Sequence, residues 1–199
     1  MLLFSLHEKI SRSGGLLDQP VSYTKFREVS KCMSDLSREE ALKQLESQFK
    51  ITGNQVYLLD LIPLAEMLWI DGKNQSEEIN LVYEFAIKHI AELSSHTEGE
   101  ELLSESEIND FMQRFVHTRP SKELLSTLRK LANSLIFQHQ DVQQNEQRKQ
   151  RIIDFCIDIA SAAVTQYPYD RHDRFIDEEK QLLNELMRTL NINTDANFL

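Results

Sequence analysis

Glycine and proline are scarce in this chain of 199 residues, with 5 Gly and 4 Pro. So few tight turns argue against many short strands joined by hairpins and favour long helices. No stretch alternates apolar and polar residues with the period of two that a strand requires. Cysteine is equally sparse. Cys32 and Cys156 lie far apart in no metal-ligand spacing, which excludes a disulfide framework, and both are expected to be reduced and structural. Basic residues are outnumbered, 22 to 32, giving a net charge of −10. With no dense basic cluster, that sign argues against nucleic acid and anionic lipid as partners. The apolar start Met1–Leu6 lacks a basic flank and ends at His7-Glu8-Lys9, so it predicts neither a signal peptide nor a membrane span. A cytoplasmic protein is the default expectation. Phosphate-cradling glycine loops, nucleophile–base pairs and dinucleotide fingerprints are missing, and His7, His89, His96, His117, His139 and His172 show no i,i+4 pairing for zinc. The chain is therefore not expected to be an enzyme.

What the chain does have is helical periodicity over an apolar share of 41%, enough for one domain with a substantial core or for two small ones. Residues 2–10 and 21–33 read as a weakly organised helical extension. Ser37-Arg38-Glu39-Glu40 forms a capping box for a helix carrying Ala41, Leu42 and Leu45. Val56 to Ile70 is the most apolar stretch; Pro63 either lies in the first turn of a helix capped by Asp60 or kinks a longer one. Asn74, with Glu77 three residues on, is expected to cap a helix through Leu81, Phe85 and His89. Ser104-Glu105-Ser106-Glu107 opens another through Phe111 and Phe115. Pro120 suits the first turn of a helix bearing Leu124, Leu125, Leu128, Leu131 and Leu135. Ile152, Cys156, Ile159, Ala160 and Ala163 mark the buried face of the next, which Tyr167-Pro168-Tyr169 ends. The last helix is predicted over Asp177–Leu190, with Leu182, Leu183 and Leu186 inward.

Two turns rich in carboxylates stand out. The first is Trp69-Ile70-Asp71-Gly72 followed by Glu77-Glu78; the second runs through Asp173 to Glu178-Glu179. Glu78 is followed at offsets three, four and seven by Leu81, Val82 and Phe85, and Glu179 at the same offsets by Leu182, Leu183 and Leu186. One helix–turn–helix design used twice accounts for this match; so does amphipathicity alone. A carboxylate in the first turn of a helix is favoured by the unpaired amides and the helix dipole, which makes capping the plain explanation of the glutamates. Asp71 adds an oxygen donor before a Gly that permits positive φ, and hard cations need several converging oxygens. The loop is not an EF-hand, because its sixth and twelfth positions hold Ser76 and Val82. Trp69 is read as core packing.

The pattern of helix, Ile70-Asp71-Gly72, Glu77-Glu78 and helix, echoed before Leu190-Asn191-Ile192, resembles the TerB-like tellurite-resistance family. It is also similar to the N-terminal region of certain membrane-anchored DnaJ-type co-chaperones. The resemblance implies an all-α helical bundle over residues 37–199, in which two pseudo-repeated helix–turn–helix units bring their acidic turns together, with residues 1–36 as an N-terminal helical extension. It implies a non-enzymatic stress-response module that binds a divalent cation, Ca²⁺ or Mg²⁺, or a protein partner. Asp71, Glu78 and Glu179 match the expected ligands, and Asp173 is favoured as the fourth. The second turn has no Asp-Gly, so Asp173 or Asp170 replaces the aspartate, and Arg171 and Arg174 offer salt bridges in place of a metal. Two rivals remain: a purely structural adaptor in which the turns only cap helices, and metal-assisted hydrolysis by paired carboxylates.

Overall fold

A computed structural model describes residues 38–95, 102–136, 142–162 and 175–192, all within the compact unit covering residues 37–199. The expected extension, its boundary, the Ser37 cap, the Tyr167–Tyr169 stop, and Asp170, Arg171, Asp173 and Arg174 lie outside the described residues. Among the described residues the fold is all-helical, with no strand. Helix α1 covers 38–49, and a 3₁₀ segment, Gly53–Leu61, leads into α2, Ile62–Leu68. There follow α3 (Ser76–Ser95), α4 (Glu105–Met112), a π-helical turn (Gln113–His117), α5 (Lys122–Ile136), α6 (Val142–Ala162) and α7 (Asp177–Thr189).

Helix α2 is the centre. Its sequence, Ile-Pro-Leu-Ala-Glu-Met-Leu, has no polar face, and every residue in it is buried. It packs on α3, α5, α6 and α7. Pro63 falls in its first turn, where a missing N–H costs nothing, and the chain changes from 3₁₀ to α pitch just before it. Asp60 does not cap this helix; Leu61 occupies the N-cap position without a side-chain bond. Around α2, Leu58, Leu61, Phe115, Leu128, Cys156 and Leu186 are fully buried. Each such leucine contributes about 1.5–3 kcal/mol of transfer free energy.

One polar element crosses this core. Arg129 on α5 places Nε 2.8 Å from Glu66 Oε2 on α2, and its Nη2 donates to Glu185 Oε2 on α7 at 2.9 Å. Burial pushes the Glu66 carboxyl up from its ordinary range, and the guanidinium pulls it partly back. Cys156 lies on the apolar face of α6 with its thiol pushed up by burial.

The helix ends follow local chemistry. Ser104 and Glu107 form a complete capping box. Pro120 does not enter α5: Ser121 is the cap, its hydroxyl accepting from the Leu124 amide at 3.1 Å, and Pro120 precedes it. At the end of α7, Asn191 adopts φ +54° while the Ile192 and Asn191 amides donate to Met187 O and Arg188 O, a Schellman stop.

Candidate functional site

The first acidic turn begins where α2 runs out of helical bonds. The Gly72 amide donates to Trp69 O at 3.1 Å, and Gly72 adopts φ +84°, a conformation that excludes most side chains. Asp71 Oδ1 then accepts from the Lys73 amide at 2.8 Å, closing a local Asx turn. Three contacts pin this turn to the segment after α4. The Trp69 indole donates to Phe115 O at 2.9 Å, and the Asn74 amide to Val116 O at 3.5 Å. Those acceptors belong to the π-helical turn, whose widened pitch leaves backbone carbonyls within reach of side chains. The Arg119 guanidinium covers Gly72, so that a Cβ there would meet both terminal nitrogens at 2.9 Å. Trp69 is a core residue, 8% exposed.

Helix α3 starts one residue later than the Asn74–Glu77 pattern suggests. Gln75 is the N-cap, its carbonyl accepting from Ile79 N, and its amide donates to Glu78 Oε2 at 3.0 Å. The shift turns Glu78 inward and leaves Glu77 in solvent. At α7 the Ile176 amide donates to Glu179 Oε2 at 2.9 Å, and Ile176 O accepts from Lys180 N. Both glutamates thus sit at the third helical position, each bonded back to its own N-cap amide. Both are also buried, Glu78 at 5% exposure and Glu179 at 6%.

Three of the four carboxylates expected at the site fall within electrostatic reach of one another. Burial, then Asp71, Glu179 and Glu77, push Glu78 up to about 7 against the opposing pull of the Gln75 amide. Burial chiefly, then Asp71 and Glu178, push Glu179 up as well, against the Ile176 amide. Asp71 itself is exposed at the rim. The fourth carboxylate, Asp173, is outside the described residues. Glu107 offers an internal comparison: it makes the same backbone bond at the third position of α4, but only partly buried, and its carboxyl is held below the ordinary range by its bonds to Ser104.

Chemically, the site presents hard oxygen donors. Glu78 and Glu179 each commit Oε2 to an amide, and Asp71 commits Oδ1; among the described residues the second oxygen of each makes no such bond. Such a set suits Ca²⁺ or Mg²⁺ and lacks the nitrogen and sulfur ligands of a zinc site. Among the described residues no group of three or more His, Cys, Asp or Glu is arranged closely enough to hold a metal ion, so further oxygens from water or from the second turn would be needed.

A second polar cluster was not anticipated. Asp60, fully buried, pairs through Oδ2 with Arg148 Nε, and His89 Nδ1 lies 3.6 Å from the same oxygen. The visible signal was an aspartate inside the apolar run Leu58-Leu59-Asp60-Leu61-Ile62.

The fold and the site define an all-helical domain with two buried helix-start glutamates drawn from separate turns. Compared with protein-family models, curated proteins and solved structures, the chain matches none. No described helix is long and apolar enough to cross a membrane.

Proposed function

We propose that this domain is a non-enzymatic, TerB-like stress-response module whose two acidic turns jointly bind a cationic group, a divalent cation first and otherwise a basic side chain of a protein partner. The observation that carries this reading is the burial of Glu78 and Glu179. Capping alone does not require it, because Glu107 caps α4 without such burial, and its bonds to Ser104 hold its carboxyl below the ordinary range. Burial first and neighbouring carboxylates second raise both, an arrangement that a positive charge at the turns would relieve.

A purely structural adaptor is the second reading, and one observation favours it: each buried glutamate already satisfies an amide of its own helix. Thermal melting separates the two. Ca²⁺, Mg²⁺ and Mn²⁺ are titrated at about pH 8, where Glu78 is ionised. Binding to the folded state adds about 2.7 kcal/mol at a hundredfold excess over Kd. Wild type is expected to melt higher as cation rises, and Asp71→Asn and Glu179→Gln to blunt the gain. No shift at millimolar cation leaves the adaptor.

A further inference from the structure

Far from the acidic turns, α3 and α6 enclose a second opening. Helix α3 rises about 1.5 Å per residue, so His89 lies roughly 16 Å along the helix from Glu78. There a groove of about 360 Å³ opens between the C-terminal half of α3 and the N-terminal half of α6. Its titratable and charged lining is Arg148, Arg151, His89 and Glu92. The remainder is three amides, Gln144, Asn145 and Gln147, and one leucine.

The two guanidiniums are held in place by carboxylates. Arg148 gives its Nε to Asp60, and Arg151 gives Nη1 to Glu92. His89 is fixed at both ends: Nε2 lies 2.7 Å from Tyr57 O, and Nδ1 faces Asp60. Asp60 is fully buried, and its Oδ1 has no hydrogen-bond partner among the described residues. A buried carboxylate is costly, and an apolar residue serves stability as well or better. Its effect here is to orient the groove wall. Among the described residues, Arg148 is anchored through Nε and Arg151 through Nη1, so that both Nη groups of the first and Nη2 of the second are left for another acceptor. The first turn of α6 adds its dipole to the same space.

From this geometry we infer that the α3–α6 groove binds a small soluble phosphate monoester, with Arg148 and Arg151 as the phosphate clamp. The guanidinium fork matches phosphate oxygens with two parallel bonds, which a carboxylate-paired lysine would not supply. A volume of about 360 Å³ exceeds what a bare phosphate ion fills and suits an esterified small molecule, for which the exposed Gln147 amide offers a hydroxyl partner. The net charge of −10 disfavours a polyanion such as nucleic acid, whose further phosphates would meet the acidic surface.

Isothermal titration of the full chain with glycerol 3-phosphate, inorganic phosphate and glycerol tests this. Ionic strength is held constant and a chelator is present, so that the result does not depend on cations at the acidic turns. Arg151→Gln is the informative variant, because its partner Glu92 is exposed and no buried charge is stranded. Saturable binding of glycerol 3-phosphate is expected, tighter than inorganic phosphate. Arg151→Gln should weaken it about tenfold, the worth of one charge-assisted bond, and Glu92→Gln should strengthen it by freeing Arg151. No saturable binding at millimolar ligand, equal binding by Arg151→Gln, or binding of glycerol alone overturns the clamp. Equal affinity for inorganic phosphate and the ester overturns the monoester assignment.

Discussion

Raising the pH from about 5 to about 8 is expected to weaken this fold, and Glu78→Gln to remove the share of that loss that Glu78 carries. Glu78 titrates at about 7 in the folded chain, against an ordinary 4.5 that stands for the unfolded chain. Between those values the folded state keeps a proton the unfolded chain has released, so stability falls as pH rises. The contribution is fully present below 4.5 and lost as pH passes through about 7. The gap, 7 − 4.5, is about 2.5 pKa units at 1.36 kcal/mol each, or about 3 kcal/mol. For a domain of this size that is roughly 6–12 °C in melting temperature. Urea unfolding followed by circular dichroism at several pH values, with chelator present, measures it for wild type and Glu78→Gln. The variant keeps an oxygen for the Gln75 amide, so the cap survives and only the ionisation is removed. Glu66 acts in both proteins and cancels in the difference, whereas Glu179, which acts electrostatically on Glu78, adds a smaller coupled share. The stability of Glu78→Gln relative to wild type should therefore grow by about 2.5 kcal/mol between about pH 5 and about 8, the rest of the change falling below about pH 5. A difference independent of pH, or a wild type that gains stability with alkalinity relative to the variant, would refute the buried, raised glutamate.

Arg129→Met should cost about 3–5 kcal/mol in urea unfolding, because Glu66 stays buried without its partner. Adding Glu66→Met should recover most of it, and a double variant as weak as the single one would contradict the pairing. Gly72→Ala should cost roughly 1–2 kcal/mol for the left-handed backbone, plus whatever displacing Arg119 requires. Arg119→Ala in that background should return the second share only, and a neutral Gly72→Ala in thermal melts would show that the turn relaxes.

Much of the helical order is legible in the sequence. The last helix, expected over Asp177–Leu190, runs Asp177–Thr189, and the Ser104–Glu107 box forms as its spacing predicts. These depend on local chemistry, which adjacent residues specify. The first-turn position of Pro63 was one of two open alternatives, and the 3₁₀ segment before it, a matter of packing, decided between them. Glu77 and Glu78 both satisfy a capping pattern, and which one is used depends on which must turn inward, a tertiary matter. The π-helical turn left no local mark either, since its carbonyls gain partners only when Trp69 and Asn74 arrive from far along the chain. The cluster of Asp60, His89 and Arg148 was hidden for the same reason. Its members come from three elements, and helical periodicity does not record which polar residues will meet.

The buried acids of this domain fall into two kinds, and the contrast bears on what the acidic turns are for. Asp60 and Glu66 each meet an arginine, Arg148 and Arg129, so their charge is compensated within the fold. Glu78 and Glu179 are equally withdrawn from water, yet the charges acting most strongly on them among the described residues are all negative. A fold that sought only stability would have one of two simpler solutions: the arginine used twice elsewhere, or the more exposed carboxyl used at Glu107. With no described arginine beside them, the two glutamates depend on something positive, which a proton, a cation or a basic side chain can supply. Those alternatives compete for the same oxygens, so cation affinity at the turns should rise as pH passes through the Glu78 transition near 7. An acidic pair acting only as caps has no reason to show that coupling.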